Sequence, residues 1–343
     1  MVKQGGSVWA VGGNRFGQLG TGLRTNLQRN LVEVMTSGAK AVAAKGGAHS
    51  MVLKEDGSVW GTGRNYHGQL GDGSKVDRQN FVQVIPSDVR TVAVGSKHSL
   101  AVKRDGSVWV TGSNMEGQLG DGSTANSEVF VRVLLIGAKA VAAGVAHSMV
   151  LGQYGSVWTA GGNSFGQLGD GSTISKRSFV PVLSEGAKAI AAGGFHSMVL
   201  KEDGTVWAMG DNEYGQLGDG STTTRNAMFP VPMQFMQSFG RNIKAIAAGF
   251  LHSMVLEEDG TVWATGRNDY GQLGDGSKIS KSSIVQVSTG AQAVAAGGWH
   301  SMVLKRDGSF WATGANNKGQ LGDGSAIDKS SFVRVAQTSV HGE

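Results

Sequence analysis

The run His196-Ser197-Met198-Val199-Leu200-Lys201, then Glu202-Asp203-Gly204, then Thr205-Val206-Trp207-Ala208-Met209 decides the fold. Two stretches of strand-forming residues flank an Asp-Gly pair. Glycine accepts positive φ without a Cβ clash, so the chain reverses there and the run reads as a β-hairpin. Upstream, Ala187-Lys188-Ala189-Ile190-Ala191-Ala192 is a strand built of small residues. Downstream, Gly215-Gln216-Leu217-Gly218 is a turn, and a polar loop leads on to a short fourth run, as Phe179-Val180-Pro181-Val182 does one unit earlier. Four strands per unit is the reading.

The unit recurs. Tryptophan stands at Trp9, Trp60, Trp109, Trp158, Trp207, Trp263 and Trp311, each followed by a Gly-Gln-Leu-Gly turn. A period near 50 residues is that of propeller blades, which bury their apolar faces only against neighbours. The expectation is an all-β protein: a seven-bladed β-propeller of four-stranded antiparallel blades, forming a single domain over residues 1–343. Crowding near the axis of a radial array selects the Ala-rich strand as the innermost. Pro181, Pro230 and Pro232 fall in the fourth run, where a missing N–H is tolerated at an edge. The first unit begins at its second strand, and Ala336-Gln337-Thr338-Ser339-Val340 loosely matches Ala291-Gln292-Ala293-Val294-Ala295. That predicts a ring closed by pairing of N- and C-terminal strands.

Composition agrees with a turn-rich β protein: 55 glycines, 4 prolines, no cysteine and only 17% charged residues. Lack of cysteine excludes disulfides and thiolate chemistry and fits a reducing compartment. A net charge of +5 spread over 343 residues is a mild bias toward acidic partners. No apolar leader precedes the first strand, and the most apolar stretch, Val129 to Val150, is broken by Arg132 and Lys139. The expectation is a soluble monomer inside the cell, cytoplasmic or nuclear, away from membranes.

The full pattern, Gly-x-x-His-Ser-Met-Val-Leu-Lys-x-Asp-Gly-Ser-Val-Trp followed by Asn-x-x-Gly-Gln-Leu-Gly-Asp-Gly-Ser, resembles the repeat of the regulator of chromosome condensation family. The resemblance covers nearly the whole chain and implies the seven-bladed propeller. It also implies two lines of function: guanine nucleotide exchange on a Ran-like small GTPase, and binding to chromatin or to other proteins. The family's exchange factor works through a hairpin wedge and a basic N-terminal tail, neither of which is visible here. Its light-sensing member has tryptophans before the repeat histidine in several blades. This chain has Ala48, Lys97, Ala146, Phe195, Leu251 and Trp299 there.

Repeated polar residues invite catalytic readings, and each has a structural counterpart. His49, His98, His147, His196, His252 and His300 all precede a serine. Strand neighbours point to opposite faces, so no His-Ser nucleophile forms within one repeat, and an active site is not copied six times. A histidine ring around an axis is splayed too widely for metal bonds of roughly 2 Å. The glycine spacing mimics a phosphate loop, but Gln-Leu stands where Lys-Ser/Thr is required. Asp72, Asp121, Asp170, Asp219, Asp275 and Asp323 lack the oxygen ladder of a calcium loop and read as turn caps. The leucine of each turn reads as a plug between blades. No cofactor is implied. Among the loop charges, ten bases from Arg24 to Lys329 face nine acids, so nucleic acid is not the expected partner.

What differs from copy to copy carries the functional expectation, a non-enzymatic scaffold for a protein partner. One distinctive feature is an insertion at 233–243, where Pro232 to Gly240 reads as a short helix. Its Met233, Phe235, Met236 and Phe239 offer an adaptable apolar contact. Others are Tyr66, Tyr214 and Tyr270 in the variable turns and Trp299 before its histidine.

Overall fold

A computed structural model describes residues 1–3, 5–45, 48–135, 137–232 and 243–336. Every regular element among them is a strand. Six consecutive units, at 39–85, 89–135, 138–183, 187–230, 243–288 and 291–334, each form a four-stranded antiparallel sheet with strands in chain order. These are blades one to six of a propeller. In blade three the strands are Ala138–Ala143, His147–Gly152, Val157–Gly161 and Lys176–Leu183.

The first strands of successive blades pack on one another, so the small-residue strand is the inner one, as crowding requires. Pro181 pairs with Trp158 and Pro230 with Trp207, both on outermost strands whose free edge needs no donor there.

A further sheet pairs Val8–Asn14 with Thr25–Met35, and an isolated bridge joins Val2 to Val8. The described residues therefore give six complete blades and two strands of another. The chain from 337 onward, expected to close the ring, and residues 233–242 of the insertion lie outside the described residues. Beside the two-stranded sheet, a cleft of about 470 Å³ is lined by Trp9, Leu31 and Met51 on one side and by Val294 and Met302 on the other.

Blades are joined by apolar layers. Leu119, from the Gly-Gln-Leu-Gly turn of blade two, is fully buried in one cluster with Val150, Ala160 and Phe179 of blade three. Burying such a side chain contributes about 1.5–3 kcal/mol. The leucine plug is real. The glycine after it matters as well: a Cβ at Gly120 would fall on the ring of Phe179, and one at Gly71 on that of Phe130. Gly-Gln-Leu-Gly thus supplies both a knob and the hollow that receives the next blade's aromatic.

Candidate functional site

Histidine and serine do not pair within a repeat, as strand alternation requires, but they pair between repeats. His49 Nε2 meets Ser99 Oγ at 2.9 Å, His98 meets Ser148 at 3.0 Å and His147 meets Ser197 at 3.0 Å. His196 with Ser253 and His252 with Ser301, each at 2.9 Å, continue the chain. Each of these serines donates its own proton to the carbonyl of a turn glutamine, Ser197 to Gln167 at 2.8 Å. The serine oxygen must therefore accept from the imidazole, which places the proton on Nε2. Burial pushes His49 down to about 4 and His98, His196 and His252 to about 3. These histidines are neutral and tied up, so they serve as couplings rather than bases. Among the described residues no three ligating side chains come together for a metal.

The turn after the tryptophan strand is equally committed. Asn65 is fully buried; its amide donates to Asp72 at 2.8 Å and to the Ser74 carbonyl at 2.9 Å, and its oxygen accepts from Leu70 N–H at 2.9 Å. Asp72 caps Ser74 N–H at 3.0 Å, and the same cap recurs at Asp121, Asp170, Asp219, Asp275 and Asp323. Burial favours raising Asp72, but hydrogen bonds from Ser74, Arg78 and Asn65 outweigh it and hold the carboxyl below its usual range. Rim bases close on these caps: Arg78 on Asp72 at 2.6 Å, Arg225 on Asp219 at 2.8 Å and Lys176 on Asp170 at 3.2 Å. Lys281 with Asp275 and Lys329 with Asp323, both at 3.6 Å, follow the pattern. With Arg24 on Asp77 and Lys75 on Glu128, seven of the ten loop bases are ion-paired, and Arg29, Arg177 and Lys278 have no such pair among the described residues.

One end of the ring is different. Each histidine strand begins where a tryptophan strand ends, His196 opposite Gly210 for example. The residue before the histidine and the turn after the glycine therefore emerge side by side, and Phe195 O accepts from Asp211 N–H as Trp299 O does from Ala315 N–H. On blades three to six this end carries an unbroken aromatic row. Phe165 touches Phe195 with centroids 5.3 Å apart, Phe195 touches Phe250 at 5.4 Å, Phe250 touches Trp299 at 5.0 Å and Trp299 touches Tyr270 at 5.8 Å. Arg267 lies 4.8 Å from the Tyr214 ring and 4.9 Å from that of Trp299, held by Asp269 at 2.6 Å. Phe165 remains 40% exposed and Tyr270 37%, so the row faces solvent.

The other arc is basic. Arg15 and Lys97 are exposed, Arg64 is half-buried, and the two arginines lie 5.8 and 5.0 Å from the Phe16 ring. Burial first, then the charges of Lys97 and Arg64, lower the pKa of His67 between them. At the axial mouth, Lys45 donates to Ala143 O at 3.1 Å among loop residues that include Val145, Gly194 and Phe250. Burial lowers its ammonium to about 7.

Of the residues singled out in the sequence, the structure brings Trp299, Tyr270 and Tyr214 together around Arg267. Tyr66 stands apart, 66% exposed and edge-on to His67 at 5.1 Å. Met233, Phe235, Met236 and Phe239 lie outside the described residues. The variable turns need one correction as binding loops: their asparagines, and Asp211 at 5% exposure, face inward and hold the turn. Sequence reasoning missed Phe165 and Phe250. The signal was the column of residues around the repeat histidine, where bulk collects only in the later copies.

A model of the RCC1-like domain matches residues 7–341. Human WBSCR16 superposes with a TM-score of 0.85 at 23% identity, covering 96% of this chain and 94% of that one. Prp20p from Saccharomyces cerevisiae, studied for its binding properties to Gsp1p and histones, superposes at 0.84 with 22% identity over 97% of this chain and 86% of its own. The Arabidopsis thaliana ultraviolet-B receptor UVR8 is 34% identical over 95 residues, which is 27% of this chain and only 22% of that protein. At these identities the two superpositions carry the fold alone.

Proposed function

This chain belongs to the RCC1-like domain family, and on that premise we propose that it is a non-enzymatic scaffold that holds a protein partner on one end of a rigid propeller. The observation that carries this is the division of labour among its residues. Groups copied in every blade are used internally, as the His49–Ser99 and Asn65–Asp72 pairs illustrate. Side chains that vary between blades gather as an exposed aromatic row beside a basic arc.

The finer architecture belongs to the same proposal: a single domain of seven blades, the last formed by the N-terminal strands with the C-terminal segment as its innermost strand. The two-stranded sheet, the Val2–Val8 bridge and the apolar cleft beside them support it. Deletion of residues 337–343 should lower the unfolding midpoint of the chain if that strand closes the ring, and an unchanged midpoint would count against the closure.

The test of function is affinity capture by the intact chain, by its W299A/F195A variant, and by a version lacking residues 233–242. A partner lost with the aromatic pair supports the scaffold at the ring end, and one lost only with the deletion moves the contact to the insertion. The competing reading, exchange of guanine nucleotide on a Ran-like GTPase, draws on the likeness of fold to Prp20p. Release of a fluorescent nucleotide from such a GTPase on adding this chain would replace the scaffold reading.

A further inference from the structure

The two arcs of the ring end differ in chemistry, and their difference constrains what can lie across them. Arg15, Arg64 and Lys97 have no ion pair among the described residues, whereas Arg78, Lys176, Arg225, Lys281 and Lys329 on the rim each have one. The aromatic arc carries exposed acids instead: Glu213 within it, Glu116 at its border on blade two, and Asp269, which is paired with Arg267 at 2.6 Å. A polyanion following the rings would meet these carboxylates, and the rings are packed against one another at 5.0 to 5.8 Å, leaving no slot for an inserted base. A ligand with its negative charge confined to one end escapes both objections.

We propose that this face binds a protein segment with segregated ends, its acidic residues on Arg15, Arg64 and Lys97 and its aromatic or aliphatic residues on Phe195, Phe250 and Trp299. The proposal rests on the scaffold reading and specifies the partner's chemistry. The two halves act differently. Exposed cations screened by salt steer and orient the segment. The aromatic row, half-desolvated already and stiffened by ring contacts, gives up little side-chain freedom when an apolar residue covers it. Charge therefore sets the direction in which the segment lies, and the rings hold it.

The test selects displayed random dodecapeptides on the intact chain. Peptides carrying a run of Asp or Glu at one end and two or more large apolar residues at the other should be enriched. Their affinity, read by fluorescence anisotropy, should fall at least tenfold in R64E/K97E and at least tenfold in W299A, with both variants still folded by circular dichroism. In R64E/K97E the selected charge should switch sign. Enriched peptides that bind both variants as they bind the parent would overturn the assignment of this face while leaving the scaffold reading standing. Failure to enrich any peptide, together with binding of a twenty-residue oligo(dT) lost in the same variants, would make the face a nucleic-acid surface and overturn the proposal.

Discussion

His147 donates through Nε2 to Ser197 of the following blade at 3.0 Å, while Ser197 donates onward to Gln167 O at 2.8 Å. Two strands and a turn meet in that relay, and all its members are buried. Replacing Ser197 with alanine removes the partner of a buried imidazole N–H and the hydroxyl donor to the Gln167 carbonyl. We expect S197A to lose about 1–3 kcal/mol. The approach of the ring is as demanding as its hydrogen bond, since a Cβ at Gly144 would fall on the His147 imidazole. G144A should therefore cost more than S197A, and chemical denaturation of the two variants checks the order.

The same histidines make the ring sensitive to acid. Folded-state values near 3 to 4 lie below the unfolded value of about 6.5, so stability is fully present above pH 6.5 and is lost as the pH falls toward 3. At pH 5 each such histidine has withdrawn about 2 kcal/mol. Several acting together rival the net stability of an ordinary domain, so unfolding should set in above pH 4. The turn aspartates, also lowered, lose their contribution only below about 4. Thermal melts between pH 7.5 and 4.5 should fall steadily from pH 6.5. A melting temperature flat down to pH 4.5 contradicts the neutral ring.

How much of this was legible follows from the period of each signal. Asp203-Gly204 gave the hairpin, Ala187 to Ala192 gave the inner strand, and Pro181 gave the edge, because each depends on local sterics. The His147–Ser197 bond joins residues 50 apart, and single-strand alternation could only say that neighbours do not pair. It becomes readable once the repeat is wrapped into a ring. The aromatic row is less accessible still. Phe250 stands two residues before its histidine and Phe195 one before, so their contact at 5.4 Å depends on how two blades are rotated, and no spacing in the chain encodes that.

Asn65 and Trp299 separate structure from surface. Asn65 sits in a variable turn beside Arg64 and Tyr66, yet it is fully buried and joins Asp72, Ser74 and Leu70. N65A removes both halves of that network, and we expect a loss of about 2–4 kcal/mol. W299A trims a half-buried ring that packs on half-buried Phe250 and on exposed Tyr270, and a loss smaller than that of N65A should follow. Partner binding should respond in the opposite order. Urea melts set beside capture assays on both variants give the comparison.

The rim offers a last prediction, in which charge is added without adding a base. Five cations are paired with five turn aspartates, from Arg78 with Asp72 to Lys329 with Asp323. Asparagine at those aspartates keeps an oxygen for the cap, as at Ser74 N–H, and discards the charge. The fivefold variant D72N/D170N/D219N/D275N/D323N should remain folded but less stable than the parent, since the aspartates are only 1–12% exposed and each exchange sets an amide beside a cation. Its five released cations lie on blade one and on blades three to six, so heparin should retain it to markedly higher salt than the parent, and the salt dependence of duplex DNA binding should steepen. Equal retention of parent and variant would mean that Arg78, Lys176, Arg225, Lys281 and Lys329 are already free to meet phosphate in solution, and the account of an ion-paired rim would fail.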